Sequence, residues 1–210
     1  MTAISDAQIK NIVFDIGEVL IDWNPRYLYS KIFDDAQEME YFLSHVCNSE
    51  WNLRQDAGYD WDKAIADTTT RFPQYASQIA AYKSRWPEMV AGGVAGSVKV
   101  LQQLKAKNWP VYAITNYNHE TFALSQELWP FLTLFDGIVV SGSEKICKPD
   151  LRIYEIFLDR YDVNAGECLF IDDRLENIKA AQDTGIAGLH FTSAEQMMRD
   201  LEKRLNITFD

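Results

Sequence analysis

The chain has 210 residues, a formal net charge of -11, and a composition that is 47% hydrophobic and 24% charged. That length fits one large domain, or one domain with a substantial insertion, and the composition is that of an ordinary globular protein. An acidic balance with no basic cluster argues against nucleic acid and anionic membranes as partners. No stretch approaches the roughly 18 apolar residues of a spanning helix. Met1 to Lys10 carries no apolar core of signal-peptide length. Cys47, Cys147 and Cys168 are far apart, with no C-x-x-C spacing, and read as thiols in a reducing compartment. The expectation is a cytoplasmic protein, monomeric or homodimeric.

The first element is the run Ile12-Val13-Phe14, which ends in Asp15 and is broken at Gly17. A continuous apolar run of this kind reads as a strand buried on both faces of a parallel sheet. Asp22-Trp23-Asn24-Pro25 reads as a turn. From Arg26 to about Met89 the patterns are helical. Apolar residues recur at helical spacing over Arg26 to Phe33, Asp35 to Val46 and Asp60 to Phe72, and a further helix starts at Pro73. Ala57-Gly58 reads as a break. Residues 23–91 hold Trp23, Trp51, Trp61 and Trp86. Ala91-Gly92-Gly93-Val94-Ala95-Gly96 reads as a hinge, because Gly permits many backbone conformations.

From Ser97 onward strands and helices alternate. Helices are expected over Ser97 to Lys107, His119 to Leu128, Asp150 to Tyr161, Leu175 to Thr184 and Ser193 to Leu205. Strands are expected over Pro110 to Ile114, Phe135 to Val140, Glu167 to Ile171 and Ile186 to Phe191. Such alternation implies an α/β fold, a Rossmann-like parallel sheet with helices on both faces. The helical block interrupts it after the first strand. Residues 1–22 and 92–210 would form the core and residues 23–91 an inserted, all-helical cap domain.

Several strands end in, or soon before, reactive residues: Asp15, Thr115-Asn116, Lys148 and Asp172-Asp173. Parallel strand ends share one edge of a sheet, so these residues converge on one crevice. Taken singly, each has a plain structural reading as a turn, cap or solvated loop residue. Taken together they are chemical. Asp15 and Asp172-Asp173 offer hard oxygen ligands that suit Mg²⁺. A carboxylate kept ionised by Mg²⁺ and Lys148 can attack phosphorus. The Thr115 hydroxyl and nearby backbone N–H groups can hold phosphate oxygens, and Lys148 can offset developing charge.

Phe14-Asp15-Ile16-Gly17-Glu18-Val19, Ile114-Thr115-Asn116, Lys148-Pro149 and Phe170-Ile171-Asp172-Asp173 with Asn177 resemble, in order, the four motifs of the haloacid dehalogenase-like hydrolase superfamily. The helical insertion resembles its first cap class. The resemblance implies that Asp15 is the nucleophile, forming an aspartyl-phosphate, and also a Mg²⁺ ligand. It implies that Thr115 and Asn116 contact the phosphoryl group of a small phosphorylated metabolite. It makes Asp173 the metal ligand, with Asp172 an alternative ligand or a supporting residue, and has Asn177 support the metal through water.

One position departs from that pattern. Most phosphatases of the superfamily carry a second Asp two residues after the nucleophile, as general acid and base. Here Gly17 keeps the backbone carbonyl for the metal and lacks the carboxyl. Glu18 is adjacent, yet one step along an extended chain points it away. Losing a general acid costs about 10²- to 10⁴-fold, and least where the leaving group is already good. Anomeric sugar phosphates and acyl or aryl phosphates meet that condition, and the motif resembles that of a sugar-1-phosphate phosphatase branch. Trp23, Arg26, Trp51, Arg54, Asp56 and His119 are lid candidates, though Trp in a helical cap commonly serves packing. The alternatives are a metal-independent 2-haloacid dehalogenase on the same fold, or a non-catalytic phosphate-binding or regulatory protein.

Overall fold

A computed structural model describes residues 9–209. The N-terminal stretch read for a leader lies almost wholly outside the described residues.

Five parallel strands make the main sheet: β1 (Asn11–Phe14), β4 (Val111–Thr115), β5 (Gly137–Val140), β6 (Cys168–Asp172) and β7 (Ala187–His190). Their spatial order is β5-β4-β1-β6-β7. The first strand is therefore central, paired to β4 on one side and β6 on the other. All four of its residues are buried, as a strand covered on both faces requires. Alternation sorts them. Ile12 and Phe14 join a core that includes Leu101, Leu104, Met197 and Leu201, from helices α6 (Ala95–Ala106) and α11 (Ala194–Leu205). Val13 faces the other way, with Ile153, Phe157, Ile178 and Ala181 from α9 (Leu151–Tyr161) and α10 (Leu175–Asp183). Both faces of the sheet are covered.

The helical segment follows a short strand, β2 (Ile21–Trp23), and returns through β3 (Val90–Gly93), which pairs antiparallel with it. One expectation fails here: Asp22-Trp23 belongs to a strand. Of the Gly-rich stretch read as a hinge, Ala91, Gly92 and Gly93 lie in the partner strand and Ala95 and Gly96 open α6. Glycine removes side chains from β3 without preventing a backbone ladder, which a composition-based reading overlooks.

Between β2 and β3 lie α1 (Arg26–Tyr29), α2 (Ala36–Tyr41), which continues as a π-helical turn over Phe42–Val46, α3 (Ser49–Asp56), α4 (Trp61–Arg71) and α5 (Ala76–Ser84). Asp35, Asn48 and Asp60 each accept a backbone N–H at the start of α2, α3 and α4. Rings pack the interior: Tyr29 against Phe42 at 4.9 Å, Phe42 against Tyr75 at 5.5 Å, and Trp51 against Tyr82 at 4.9 Å between centroids. The sequence reading missed α3. It is one of the pieces that meet the sheet domain's loops, through the short helix α8 (Ser141–Glu144). Among the described residues, no helix is long and apolar enough to cross a membrane.

Candidate active site

At the carboxyl end of β1, Asp15 comes within an ion-pair distance of Lys148. The Lys148 ammonium lies 2.8 Å from Asp15 Oδ1 and 2.8 Å from Asp172 Oδ2, in an almost fully buried triad. The Ile16 backbone N–H also donates to Asp15 Oδ1, at 2.6 Å. Asp15 Oδ2 has no hydrogen-bond partner among the described residues. The nucleophile expected from the sequence thus has one oxygen fixed and one left over.

Asp172 is fully buried and fully employed. Besides Lys148 it accepts from Asn177 Nδ2, at 3.0 Å to each oxygen, and from the Arg174 N–H at 2.8 Å. Asp173 is half-buried and faces the crevice, and its backbone carbonyl accepts from His190 Nε2 at 2.9 Å. Asp15, Asp172 and Asp173 each offer an oxygen within 4.8 Å of the others. Three carboxylates against one ammonium leave a formal excess of two negative charges, the charge of one divalent cation. Oxygen-only donors of this kind fit Mg²⁺. Of the two adjacent Asp residues, Asp173 has the freer oxygens, while Asp172 holds Lys148 and Asn177 in place.

Burial pushes the Asp15 carboxyl up to about 7; Lys148 pulls it down and Asp172 pushes it further up. Burial opposes the charge on Lys148, but Asp15 and Asp172 more than offset this and raise its pKa. Asp173 is raised by burial and then by Asp172. A cation among these carboxylates would reverse their shifts.

Thr115 ends β4 and Asn116 follows it. The Thr115 hydroxyl is buried without a partner among the described residues. Asn116 lines the crevice, but both ends of its amide are engaged: Nδ2 donates to the Lys148 carbonyl at 2.9 Å and Oδ1 accepts the Lys148 N–H at 2.8 Å. Its side chain therefore fixes the loop that presents Lys148.

The crevice opens into a chamber of about 420 Å³ between the sheet edge and the helical segment. Gly17 and Glu18 line it. Glu18 corrects the sequence expectation. Its φ of 59 is left-handed, so the chain is not extended there, and the side chain reaches the chamber wall. Burial, then Asp173, raise its pKa. A left-handed glutamate has no signature in sequence, because non-glycine residues rarely adopt that conformation.

Of the lid candidates, Trp23 and Asp56 line the chamber. Arg26 pairs with Glu40 on the surface, Arg54 lies over the Tyr59 ring, and His119 is exposed at the start of α7 (His119–Leu128). Trp51 is packing: its indole donates to Thr68 Oγ1 at 2.8 Å. Trp61, Trp86 and Tyr117 line the chamber and were not singled out from sequence.

Comparisons with known proteins identify the family. The profile of haloacid dehalogenase-like hydrolases matches residues 9–185. The chain is 33% identical over 186 residues to the sesquiterpene phosphatase AstK of Aspergillus oryzae, across 88% of this chain and 91% of that protein. It is 23% identical over 197 residues to (S)-2-haloacid dehalogenase 4A of Burkholderia cepacia, across 86% and 79% of the two chains. A crystal structure of a HAD family enzyme from Bacteroides thetaiotaomicron, in complex with magnesium and inorganic phosphate, matches with a TM-score of 0.68 at 23% identity, covering 88% of this chain and 95% of that one. With its motifs at the ends of β1, β4 and β6, and a profile match over most of its length, the chain belongs to the haloacid dehalogenase-like hydrolase family.

Proposed function

We propose that this hydrolase is a Mg²⁺-dependent phosphatase acting on a small phosphorylated metabolite through an aspartyl-phosphate on Asp15. The observation that carries the reading is the asymmetric Asp15 carboxylate, with Oδ1 held by Lys148 and the Ile16 N–H and Oδ2 unpartnered beside two further carboxylates. Oδ2 attacks phosphorus, the bond from phosphorus to the leaving oxygen breaks, and water then cleaves the acyl phosphate to regenerate Asp15. Lys148 lowers the Asp15 pKa, and the ion would lower it further and so keep Asp15 ionised. Asp15, the Gly17 carbonyl and Asp173 are the residues that would hold Mg²⁺, with Asp172 positioning Lys148. The ion would supply charge neutralisation between carboxylates and phosphate. The Thr115 hydroxyl, buried and without a partner among the described residues, is the proposed donor to a phosphate oxygen.

The helical segment acts as the cap that sets specificity. Gly17 supplies no carboxyl for the leaving oxygen, which favours substrates with good leaving groups, anomeric sugar phosphates among them. Trp23, Trp61, Trp86 and Tyr117 give an uncharged body broad aromatic surfaces. The sesquiterpene phosphatase name of one relative supports phosphate as the reacting group and a body without charge.

Release of phosphate from p-nitrophenyl phosphate is the test. It is expected to need Mg²⁺ and to disappear in Asp15→Asn. Silence across a broad panel of phosphoesters would sink the reading. Chloride release from 2-chloropropionate without Mg²⁺ would replace it with carbon-directed chemistry.

A further inference from the structure

The chamber holds two polar groups that phosphate release does not use. The first is the indole N–H of Trp61. Trp61 opens α4, is 1% exposed and lines the chamber, yet its Nε1 has no acceptor among the described residues. Buried donors left unpaired are uncommon in folded proteins and call for an explanation. The aromatic cluster does not impose this. Trp51 packs on Trp61 at 5.6 Å between centroids, and its own indole is satisfied by Thr68.

The second is the carboxyl of Asp56, the last residue of α3. It accepts from Asn52 Nδ2 at 2.9 Å and from the Asn118 backbone N–H, and no cation pairs with it among the described residues. Both groups adjoin one side chain. Tyr82 packs on Trp61 at 5.7 Å, and its hydroxyl is close enough to Asp56 to feel its charge. Burial pushes Asp56 up to about 8, so near neutrality it carries a proton that it can donate.

The rest of the lining limits what reaches this end. Lys148 and Arg174 are the cations that border the chamber. Lys148 is committed to Asp15 and Asp172, and Arg174 pairs with Glu176 next to Asp173, at the phosphoryl end. Glu18, Glu50 and Asp56 add acid to the lining. A second phosphate or a carboxylate on the substrate would find no counter-ion there. An indole N–H can only donate, whereas a carboxyl can donate or accept. A hydroxyl complements both, since it accepts from the indole and exchanges a hydrogen bond with the carboxyl.

We propose that Trp61 Nε1 and the Asp56 carboxyl form a recognition site for a hydroxyl on the leaving alcohol, remote from its phosphate. The preferred substrates are then phosphomonoesters of hydroxylated alcohols that carry no other charge. The proposal rests on the phosphatase reading above and narrows its substrate class.

The experiment compares kcat/KM, with Mg²⁺ present, across a chain-length series of p-(n-alkyl)phenyl phosphates, whose aryl leaving group needs no acid, and their ω-hydroxy and ω-amino counterparts, with p-nitrophenyl phosphate as reference. At a matching chain length the ω-hydroxyl is expected to raise kcat/KM about tenfold, mainly through KM. Trp61→Phe, which keeps a ring and removes the N–H, is expected to bring the hydroxy-to-plain ratio to about one, as is Asp56→Leu. The ratio is taken within each variant, so a general loss of activity cancels. The wild-type series decides the matter even if a variant fails to fold. Turnover of p-nitrophenyl phosphate with no hydroxyl preference at any length overturns the recognition site and leaves the phosphatase reading standing. A preference for the ω-amino series also overturns it, because an ammonium offers the indole no acceptor. If p-nitrophenyl phosphate is not turned over at all, the phosphatase reading and the site fall together.

Discussion

Gly17→Asp restores the carboxyl that the first motif lacks, and the structure has room for it. A Cβ built at Gly17 meets no atom within 4 Å, and the residue's backbone is not in the left-handed region. The cost is electrostatic. The chamber lining near Gly17 already includes Asp15, Glu18 and Asp173. One more like charge at about 6 Å costs roughly 3 kcal/mol at an effective dielectric of 20. The variant should therefore melt lower than wild type without Mg²⁺ and recover most of the difference when Mg²⁺ is added. The gain is catalytic. Protonating a departing alkoxide is worth about 10²- to 10⁴-fold, whereas nitrophenolate leaves without help. For glycerol 2-phosphate, kcat/KM should rise about 10²-fold or more, and for p-nitrophenyl phosphate less than about threefold. Steady-state kinetics on the two substrates decides. Equal changes on both would refute the reasoning. So would a null result on both that is reversed by Glu18→Gln in the same background, since Glu18 would then already fill the role.

Two further substitutions probe the charges. Lys148→Met leaves the buried carboxylates of Asp15 and Asp172 without their cation, so it should destabilise the protein by about 3–5 kcal/mol at pH 7; the loss should be smaller at pH 5, and denaturant melts that show the same loss at both would count against the triad as described. Asp56→Asn tests the raised carboxyl. A group whose pKa rises from 3.8 in the unfolded chain to about 8 on folding prefers to stay protonated in the fold. Its penalty is absent below about pH 4, grows as pH rises, and levels off above about pH 8. The variant should gain about 2 kcal/mol relative to wild type between pH 5 and pH 8, or roughly 5 °C in Tm, after allowance for partial solvent access. A gain independent of pH would show that Asp56 ionises freely in the fold.

The sheet was legible because its strands announce themselves. Ile12-Val13-Phe14 and Leu169-Phe170-Ile171 are continuous apolar runs, and each ends in a carboxylate. That regularity places Asp15 and Asp173 at one edge of the sheet. Other features were hidden for physical reasons. Helix α3 places Trp51 and Gln55 inward and leaves Leu53 exposed, so its apolar residues do not trace one stripe. The β2–β3 ribbon is short, and half of β3 is glycine. The direction of Glu18 depends on one backbone dihedral. The difference between Trp51 and Trp61 depends on a single threonine 17 residues away from Trp51, which periodicity does not reveal.

Asn118 gives the site a handedness of a different kind. Its Oδ1 accepts the Glu120 N–H that begins α7, and its Nδ2 donates to the Gln55 carbonyl at the end of α3, with the residue 1% exposed. Rotating that amide by half a turn would set oxygen against oxygen and N–H against N–H, so its orientation is locked by two neighbours on opposite sides. Aspartate retains the cap and repels the carbonyl, whereas leucine retains the volume and satisfies neither group. That amide works with the Ser141 hydroxyl, which donates to the Asp56 carbonyl and accepts the Tyr117 N–H, so the wall that carries Asp56 is tied to the loop after β4 at two points.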